Sequence, residues 1–149
     1  SDAGLLDAAI ADLTRAIILD PKMPAAYTDR GNIFANSGKP DLALADYEQA
    51  LRVDSQFAGA LNSRGVLYAR MGDLDAAFVD FNRAVMLEPQ SSLAYFNRGN
   101  VSWQKNDKDA ALADYNAAIR LDSHFTAAYA MRAQILSDHG FGSSAPPDF

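Results

Sequence analysis

The sequence contains no cysteine among its 149 residues, and only two histidines, His124 and His139. The absence of cysteine excludes disulfide bonds, thiolate metal sites and cysteine nucleophiles. The two histidines fall in a predicted turn and at a predicted helix end, and no Ser/His/Asp spacing, metal-ligand cluster or phosphate-binding loop accompanies them. We therefore expect no catalytic residues, no metal site and no cofactor.

Long apolar runs and basic clusters are also missing. No apolar stretch approaches the ~18 residues of a membrane helix, and no basic segment followed by an apolar one opens the chain as in a signal peptide. With 13 basic and 19 acidic residues the net charge is −6, so a nucleic-acid backbone would be repelled. We expect no nucleic-acid partner, no membrane insertion, and a soluble protein compatible with either the cytoplasm or the bacterial periplasm.

What the chain has in abundance is internal repetition. Arg-Gly pairs stand at residues 30–31, 64–65 and 98–99, which are equally spaced along the chain. Other series keep the same step: Ala43, Ala77 and Ala111; Tyr47, Phe81 and Tyr115; Asp12, Asp46, Asp80 and Asp114. A constant step of this length is typical of repeat architectures.

Each repeat has the apolar periodicity of helices and is broken twice. Left-handed turns between helices are predicted at Gly4, Gly38, Gly72, Gly140 and Asn106. Steps such as Asp20-Pro21 form the second break, because proline does not continue a helix. The predicted helices are residues 5–19, 24–37, 41–53, 58–71, 75–87, 92–105, 109–121 and 126–138. Residues 140–149 are rich in Gly, Ser and Pro and are predicted to form a flexible C-terminal tail.

The repeat resembles the tetratricopeptide repeat, a helix-turn-helix unit with the same period. The middle unit carries the landmarks of that family: Leu61, Gly65, Tyr68, Ala77, Phe81, Ala84 and Pro89. The resemblance implies an all-α fold, a right-handed α-solenoid of antiparallel helix pairs with about eight helices. We divide a single array, residues 1–139, into a half repeat 1–23, full repeats 24–57, 58–91 and 92–125, and a half repeat 126–139.

Four arginines form one departure from the family pattern, which usually has leucine before the first-helix glycine. They are Arg30, Arg64, Arg98 and Arg132, and they repeat in step with Asp12, Asp46, Asp80 and Asp114. Pairing within a unit would leave the first aspartate and the last arginine alone, whereas pairing between units matches all four sets. We therefore predict a structural ion-pair ladder between units. The alternative is a row of arginines that binds an anion.

The resemblance also implies where a ligand would bind, because first helices line the concave groove in this family. The groove positions that we single out are Asn32, Asn62, Arg70, Phe96, Asn97, Asn100, Trp103 and Gln104. Amide side chains carry both donors and acceptors, so they suit an extended peptide backbone, and the two aromatic side chains would receive an apolar anchor. The alternatives are that the amides are merely solvated and that Trp103 fills a gap in packing.

Some family members hold a C-terminal carboxylate with lysine, asparagine and arginine on successive first helices. Here Asn32 fits that pattern, but Thr28, Leu93 and Asn97 replace the basic residues, so a receptor for chaperone tails is not expected. We predict a non-catalytic scaffold that binds an unidentified peptide or protein. The alternatives are head-to-tail self-assembly through the terminal helices and recruitment of substrates within a larger protein, of which this chain would be a fragment.

Overall fold

A computed structural model describes residues 1–139 of the chain. The predicted flexible tail, residues 140–149, and the predicted turn at Gly140 lie outside the described residues. Eight α-helices occupy the described part: α1 Asp2–Leu19, α2 Pro24–Asn36, α3 Pro40–Val53, α4 Ala58–Arg70, α5 Leu74–Leu87, α6 Ser92–Gln104, α7 Lys108–Leu121 and α8 Thr126–His139. None of these helices is both long enough and apolar enough to cross a lipid bilayer.

Every predicted helix is present, with one error at the start of the chain. Helix α1 begins at Asp2, so Gly4, which we predicted to form an inter-helix turn, lies inside the helix. Ser1 caps the helix, because its Oγ accepts a hydrogen bond from the Gly4 N–H at 3.4 Å. A serine cap satisfies one of the free N–H groups of the first turn, which starts the helix before the predicted position.

The turns inside the repeats follow the prediction. Gly38 and Gly72 have φ values of 74° and 86°, and Asn106 has φ 64°. These are left-handed conformations that glycine and asparagine adopt most readily. Pro40 is the first residue of α3, where the missing N–H of proline costs nothing, and the Asp107 side chain accepts a hydrogen bond from the Ala110 N–H at the start of α7.

The helices group into two compact units, one of residues 1–87 with α1 to α5 and one beginning at residue 88 with α6 to α8. In the first unit, Ala43, Tyr47 and Leu67 form one cluster of the core. In the second unit, Ala111 and Tyr115 form an equivalent cluster with Ile135 of α8. The same repeat positions therefore supply the core on both sides of the division.

Within a repeat, the two helices approach closely at a glycine. A Cβ added to Gly31 of α2 would lie 2.7 Å from the Tyr47 ring of α3, and one added to Gly65 of α4 would lie 2.7 Å from the Phe81 ring of α5. Both aromatic side chains are at most 2% exposed. Only glycine leaves room for these rings, so the glycine sets how closely the two helices pack.

This close approach decides how the arginines pair. Arg30 directly precedes Gly31, and Asp46 directly precedes Tyr47, so the contact between glycine and ring brings arginine and aspartate together. The Nε of Arg30 lies 2.8 Å from Oδ2 of Asp46, and its Nη2 lies 2.7 Å from Oδ1. Hydrogen bonding to Asp46 raises the pKa of Arg30, which keeps the guanidinium charged.

The predicted pairing between units is therefore wrong for these residues. Arg64 contacts Asp80, and Arg98 contacts Asp114, through the same two-bond geometry within one repeat. Our choice rested on how many residues found a partner, whereas the packing distance at the glycine decides the outcome. At the two ends of the series, Asp12 lies exposed on α1, and the Nη1 of Arg132 donates to Oδ1 of Asn116 at 3.0 Å.

Candidate functional site

In the first unit, the predicted groove residue Asn32 is held by a buried tyrosine. The hydroxyl of Tyr47 donates a hydrogen bond to Oδ1 of Asn32 at 2.7 Å, and the tyrosine is 1% exposed. Asn32 itself is only partly buried. Because its oxygen accepts the phenolic proton, the two N–H groups of its amide remain to donate elsewhere.

The second unit repeats the arrangement. The hydroxyl of Tyr115, whose side chain is fully buried, donates to Oδ1 of Asn100 at 2.7 Å. Between these two repeats, the middle repeat carries Val66 and Phe81 at the same two positions. Thus tyrosine occurs opposite asparagine, and phenylalanine, which has no hydroxyl, occurs opposite valine.

Our sequence reasoning assigned no role in the candidate site to Tyr47 and Tyr115, which hold two of the candidate groove amides in the structure. The signal was present in the sequence. Asparagine and tyrosine occur together, at the same spacing, in the first and last full repeats, whereas the middle repeat has valine and phenylalanine at the two positions. A paired exchange of this kind indicates a contact between the two positions.

Burial keeps the phenolic protons in place. It raises the pKa of Tyr115, and the negative charge of Asp114 raises it further. Burial also raises the pKa of Tyr47, although the positive charge of Arg70 and a hydrogen bond with Ser63 act in the opposite direction. Both phenols are therefore protonated near neutral pH and act as donors to their asparagines.

The same interactions show which predicted groove residues come together in the first unit. Arg70 is exposed at the end of α4, and its charge acts on the Tyr47 phenol that holds Asn32. Asn62 of the same helix is partly buried, and its Oδ1 is a buried atom without a hydrogen-bond partner among the described residues. The structure therefore orders Asn32 through a partner and leaves the Asn62 oxygen without one.

The aromatic residues that we predicted as an apolar anchor contact the core of the second unit. The Phe96 ring lies edge-on to Phe125 with centroids 4.8 Å apart, and its centroid is 5.7 Å from that of Tyr115. Trp103 packs against the cluster that contains Tyr115, and Nζ of Lys108 lies 5.7 Å from the centre of its ring. Both predicted anchors are partly buried, so each has a packing contact as well as an accessible edge.

The remaining predicted residues of the second unit differ in exposure. Asn97 is partly buried in α6, and Gln104 is exposed at the end of the same helix. Within residues 1–139, no three His, Asp or Glu side chains are grouped so that they would hold a metal ion.

Sequence comparison decides the family. Models described as TPR repeat or tetratricopeptide repeat match residues 1–43, 31–72, 58–91 and 92–125, which together span most of the chain. The chain belongs to the tetratricopeptide repeat family. Two of these matches, 58–91 and 92–125, coincide with the bounds that we predicted for full repeats. No match was found among curated proteins.

Solved structures of tetratricopeptide proteins resemble this one. MamA is 22% identical with a TM-score of 0.81, over 92% of this chain and 80% of its own. PilF of Pseudomonas aeruginosa is 25% identical with a TM-score of 0.85, over 92% of this chain and 63% of its own. The first tetratricopeptide domain of Spaghetti (RPAP3), solved with the HSP90 peptide SRMEEVD, is 24% identical with a TM-score of 0.72, over 75% and 89%. The predicted all-α solenoid fold is confirmed.

Proposed function

We propose that this tetratricopeptide chain is a non-catalytic interaction module that binds an extended peptide segment of a partner protein through the amides of its first helices. The observation that carries the proposal is a tyrosine-held asparagine in each unit, Asn32 in the first and Asn100 in the second. Each amide has its oxygen engaged by a buried phenol and its nitrogen left to donate. A carbonyl oxygen of a peptide backbone is the matching acceptor.

Preorganisation is what makes such amides useful. A free asparagine loses side-chain entropy when it binds, and this cost subtracts from affinity. Tyr47 and Tyr115 have already fixed the two amides before a ligand arrives, since each phenol is buried and hydrogen-bonded. Donation to backbone carbonyls also predicts a tolerance of different side chains in the ligand, because every residue carries the same carbonyl.

The relatives support binding of a peptide but not the same peptide. The RPAP3 domain was solved with the HSP90 peptide SRMEEVD. In this chain, Thr28, Leu93 and Asn97 occupy positions where the family's carboxylate clamp has basic residues. We therefore propose an internal, extended segment as the ligand, with Phe96 and Trp103 contacting an apolar side chain at one end.

The test is a selection of peptides from a random display library against the whole chain, followed by measured affinities for variants. Asn32→Ala and Asn100→Ala should each weaken a selected peptide by about 1 kcal/mol, the usual net value of one hydrogen bond. Gln56→Ala, an exposed amide in the turn between α3 and α4, is the matched control and should leave affinity unchanged. Equal affinity of all three variants for every selected peptide would refute the proposal.

Trp103 needs a milder substitution because it also packs against the core. Trp103→Phe retains an aromatic ring in the cluster with Ala111 and Tyr115, whereas alanine would leave a cavity there. If the ring anchors the ligand, Trp103→Phe should weaken selected peptides with an apolar residue and leave the helical content measured by circular dichroism unchanged.

A second candidate function is self-assembly, which one observation favours. Helix α1 exposes Leu5, Leu6, Ile18 and Leu19, with exposed fractions of 43–71%. No residue of α1 is buried, and we propose a second copy of the chain as the alternative occupant that covers these apolar side chains. The mass measured by light scattering should then rise with concentration, and Ile18→Glu should abolish the rise. A constant monomer mass would eliminate this candidate.

A further inference from the structure

The first unit contains a pocket of about 390 Å³ that is lined by none of the predicted groove residues. Four of its lining residues, Glu48, Leu51, Arg52 and Arg83, lie on the second helices α3 and α5. Ser55 from the following turn and Arg64 from α4 complete the lining. Three of the six residues are arginines, in a chain whose net charge is −6.

Arg64 is the fixed donor of this pocket. Its Nε and Nη2 each lie 2.8 Å from an oxygen of Asp80, and its side chain is 22% exposed. Hydrogen bonding to Asp80 raises the pKa of Arg64, so the guanidinium stays charged. The aspartate thus holds the guanidinium in one orientation through two of its three nitrogens.

The third guanidinium nitrogen, Nη1, distinguishes Arg64 from Arg30 and Arg132. Nη1 of Arg30 donates to Thr14, and Nη1 of Arg132 donates to Asn116, in each case a residue 16 positions earlier. The residue at the corresponding position before Arg64 is Glu48, whose carboxylate instead lies 3.8 Å from the guanidinium of Arg52. Among the hydrogen bonds within residues 1–139, none involves Nη1 of Arg64.

The charges of the pocket are not balanced. Arg52, Arg64 and Arg83 contribute three positive charges, while Glu48 in the lining and Asp80 behind Arg64 contribute two negative ones. Arg52 and Arg83 are exposed. Arg52 donates from Nη1 to Oε1 of Gln49 at 2.6 Å, and a ligand in the pocket would take the place of this surface contact. Guanidinium groups present paired N–H donors that match the oxygen atoms of carboxylates and phosphates.

We propose that this pocket binds a phosphate group, either free or as a monoester. A tetrahedral phosphate has enough oxygen atoms to accept from three guanidiniums and from the Ser55 hydroxyl at once, whereas a carboxylate has two oxygens and is satisfied by one arginine. Binding here is independent of peptide binding by the first-helix amides.

The test is a titration of the whole chain with inorganic phosphate, at constant ionic strength, followed by NMR of the arginine Nε–H signals. Constant ionic strength is essential because salt alone screens exposed charges. The signals of Arg52, Arg64 and Arg83 should shift together with a single Kd. Acetate in place of phosphate should shift them much less. No concerted shift, or the same shift with acetate, would overturn the proposal.

Three variants make the result specific to the pocket. Arg83→Gln should weaken phosphate by about tenfold, and Glu48→Gln should strengthen it by about threefold or more, because each changes one charge beside the ligand. Arg120→Gln is the matched control: it occupies the repeat position of Arg52 but lies on α7 and is exposed. If Arg120→Gln weakens binding as much as Arg83→Gln, the effect is one of net charge and the pocket is not a site.

Two further titrations separate the source of the phosphate and the two proposals. A short peptide that carries phosphoserine should bind at least as tightly as inorganic phosphate if the natural ligand is a modified side chain, whereas tighter binding of inorganic phosphate assigns the site to the free ion. Asn100→Ala should leave phosphate affinity unchanged. If phosphate binds but no peptide does, this proposal is supported and the proposed peptide-binding function is refuted.

Discussion

The hydrogen bond between Tyr115 and Asn100 can be tested by a double-mutant cycle, for which the apolar pair of the middle repeat, Val66 and Phe81, is the reference. Tyr115→Phe removes the hydroxyl that donates to Asn100 and should lower the free energy of unfolding by about 1 kcal/mol, the net value of a hydrogen bond. Asn100→Val should cost more, about 1–3 kcal/mol, because it leaves a fully buried hydroxyl without an acceptor.

The double variant should cost much less than the sum of the two. Asn100→Val with Tyr115→Phe reproduces the apolar pair that the middle repeat already has, Val66 and Phe81. When both partners become apolar, no buried polar group is left, and the change is close to neutral. We expect a coupling energy of about 2–4 kcal/mol, well above the ~0.5 kcal/mol within which independent sites add.

The assay is urea unfolding followed by circular dichroism, with stabilities compared only between variants of equal m value. The mirror experiment starts from the middle repeat: Phe81→Tyr should be destabilising and Val66→Asn should rescue it. Costs that simply add in both cycles would refute the argument, since they would show that hydroxyl and amide do not interact. Tyr115→Phe should also weaken peptides bound through Asn100 while leaving the chain folded.

Three more predictions concern packing, charge and pH. Gly65→Ala should destabilise the fold by about 1–3 kcal/mol in the same urea assay, because the added Cβ would lie 2.7 Å from a buried ring. Gly59→Ala on the same helix is the control. Its Cβ would meet nothing closer than 3.4 Å, so this variant should be neutral or stabilising. Asp80→Ala leaves the partly buried Arg64 without its counter-ion and should lower the free energy of unfolding by about 2–4 kcal/mol in urea. Glu48→Ala removes a partner from an exposed ion pair and should lower it by less than about 1 kcal/mol. Similar values for the two variants would contradict this prediction. Because burial raises the pKa of Tyr115, its contribution to stability should be complete below the usual phenol pKa of about 10 and lost as pH rises further, and Tyr115→Phe should remove a late component from the ultraviolet phenolate titration.

Helix positions followed readily from the sequence because their signals are local. The left-handed turn residues and the prolines that end a helix each affect only the few residues next to them. The pairing of the arginines could not be read in the same way. It depends on how closely two helices approach at Gly31, a distance set by the Tyr47 ring on the following helix.

The contacts of the candidate site residues could be predicted only in part, for a similar reason. Family positions identified Asn32 and Asn100, but what holds an amide in place depends on a neighbouring helix. Packing contacts of Phe96 and Trp103 also depend on neighbouring helices, and the structure shows Phe96 against Phe125 and both side chains against the cluster that contains Tyr115. The arginine pocket had no sequence signal, because its residues come from three helices and a turn.

The placement of each ion pair inside one repeat has a consequence for how such arrays evolve. A segment of one repeat length that contains Arg64 and Asp80 brings both the buried cation and its counter-ion with it. Duplicating, deleting or exchanging that segment leaves no half of the pair behind, so the new array does not inherit an uncompensated buried charge. Had the pairs crossed from one repeat to the next, every such rearrangement would have to preserve matching neighbours. Because each repeat compensates its own buried charge, gene duplication can add or remove a repeat without a compensating mutation elsewhere.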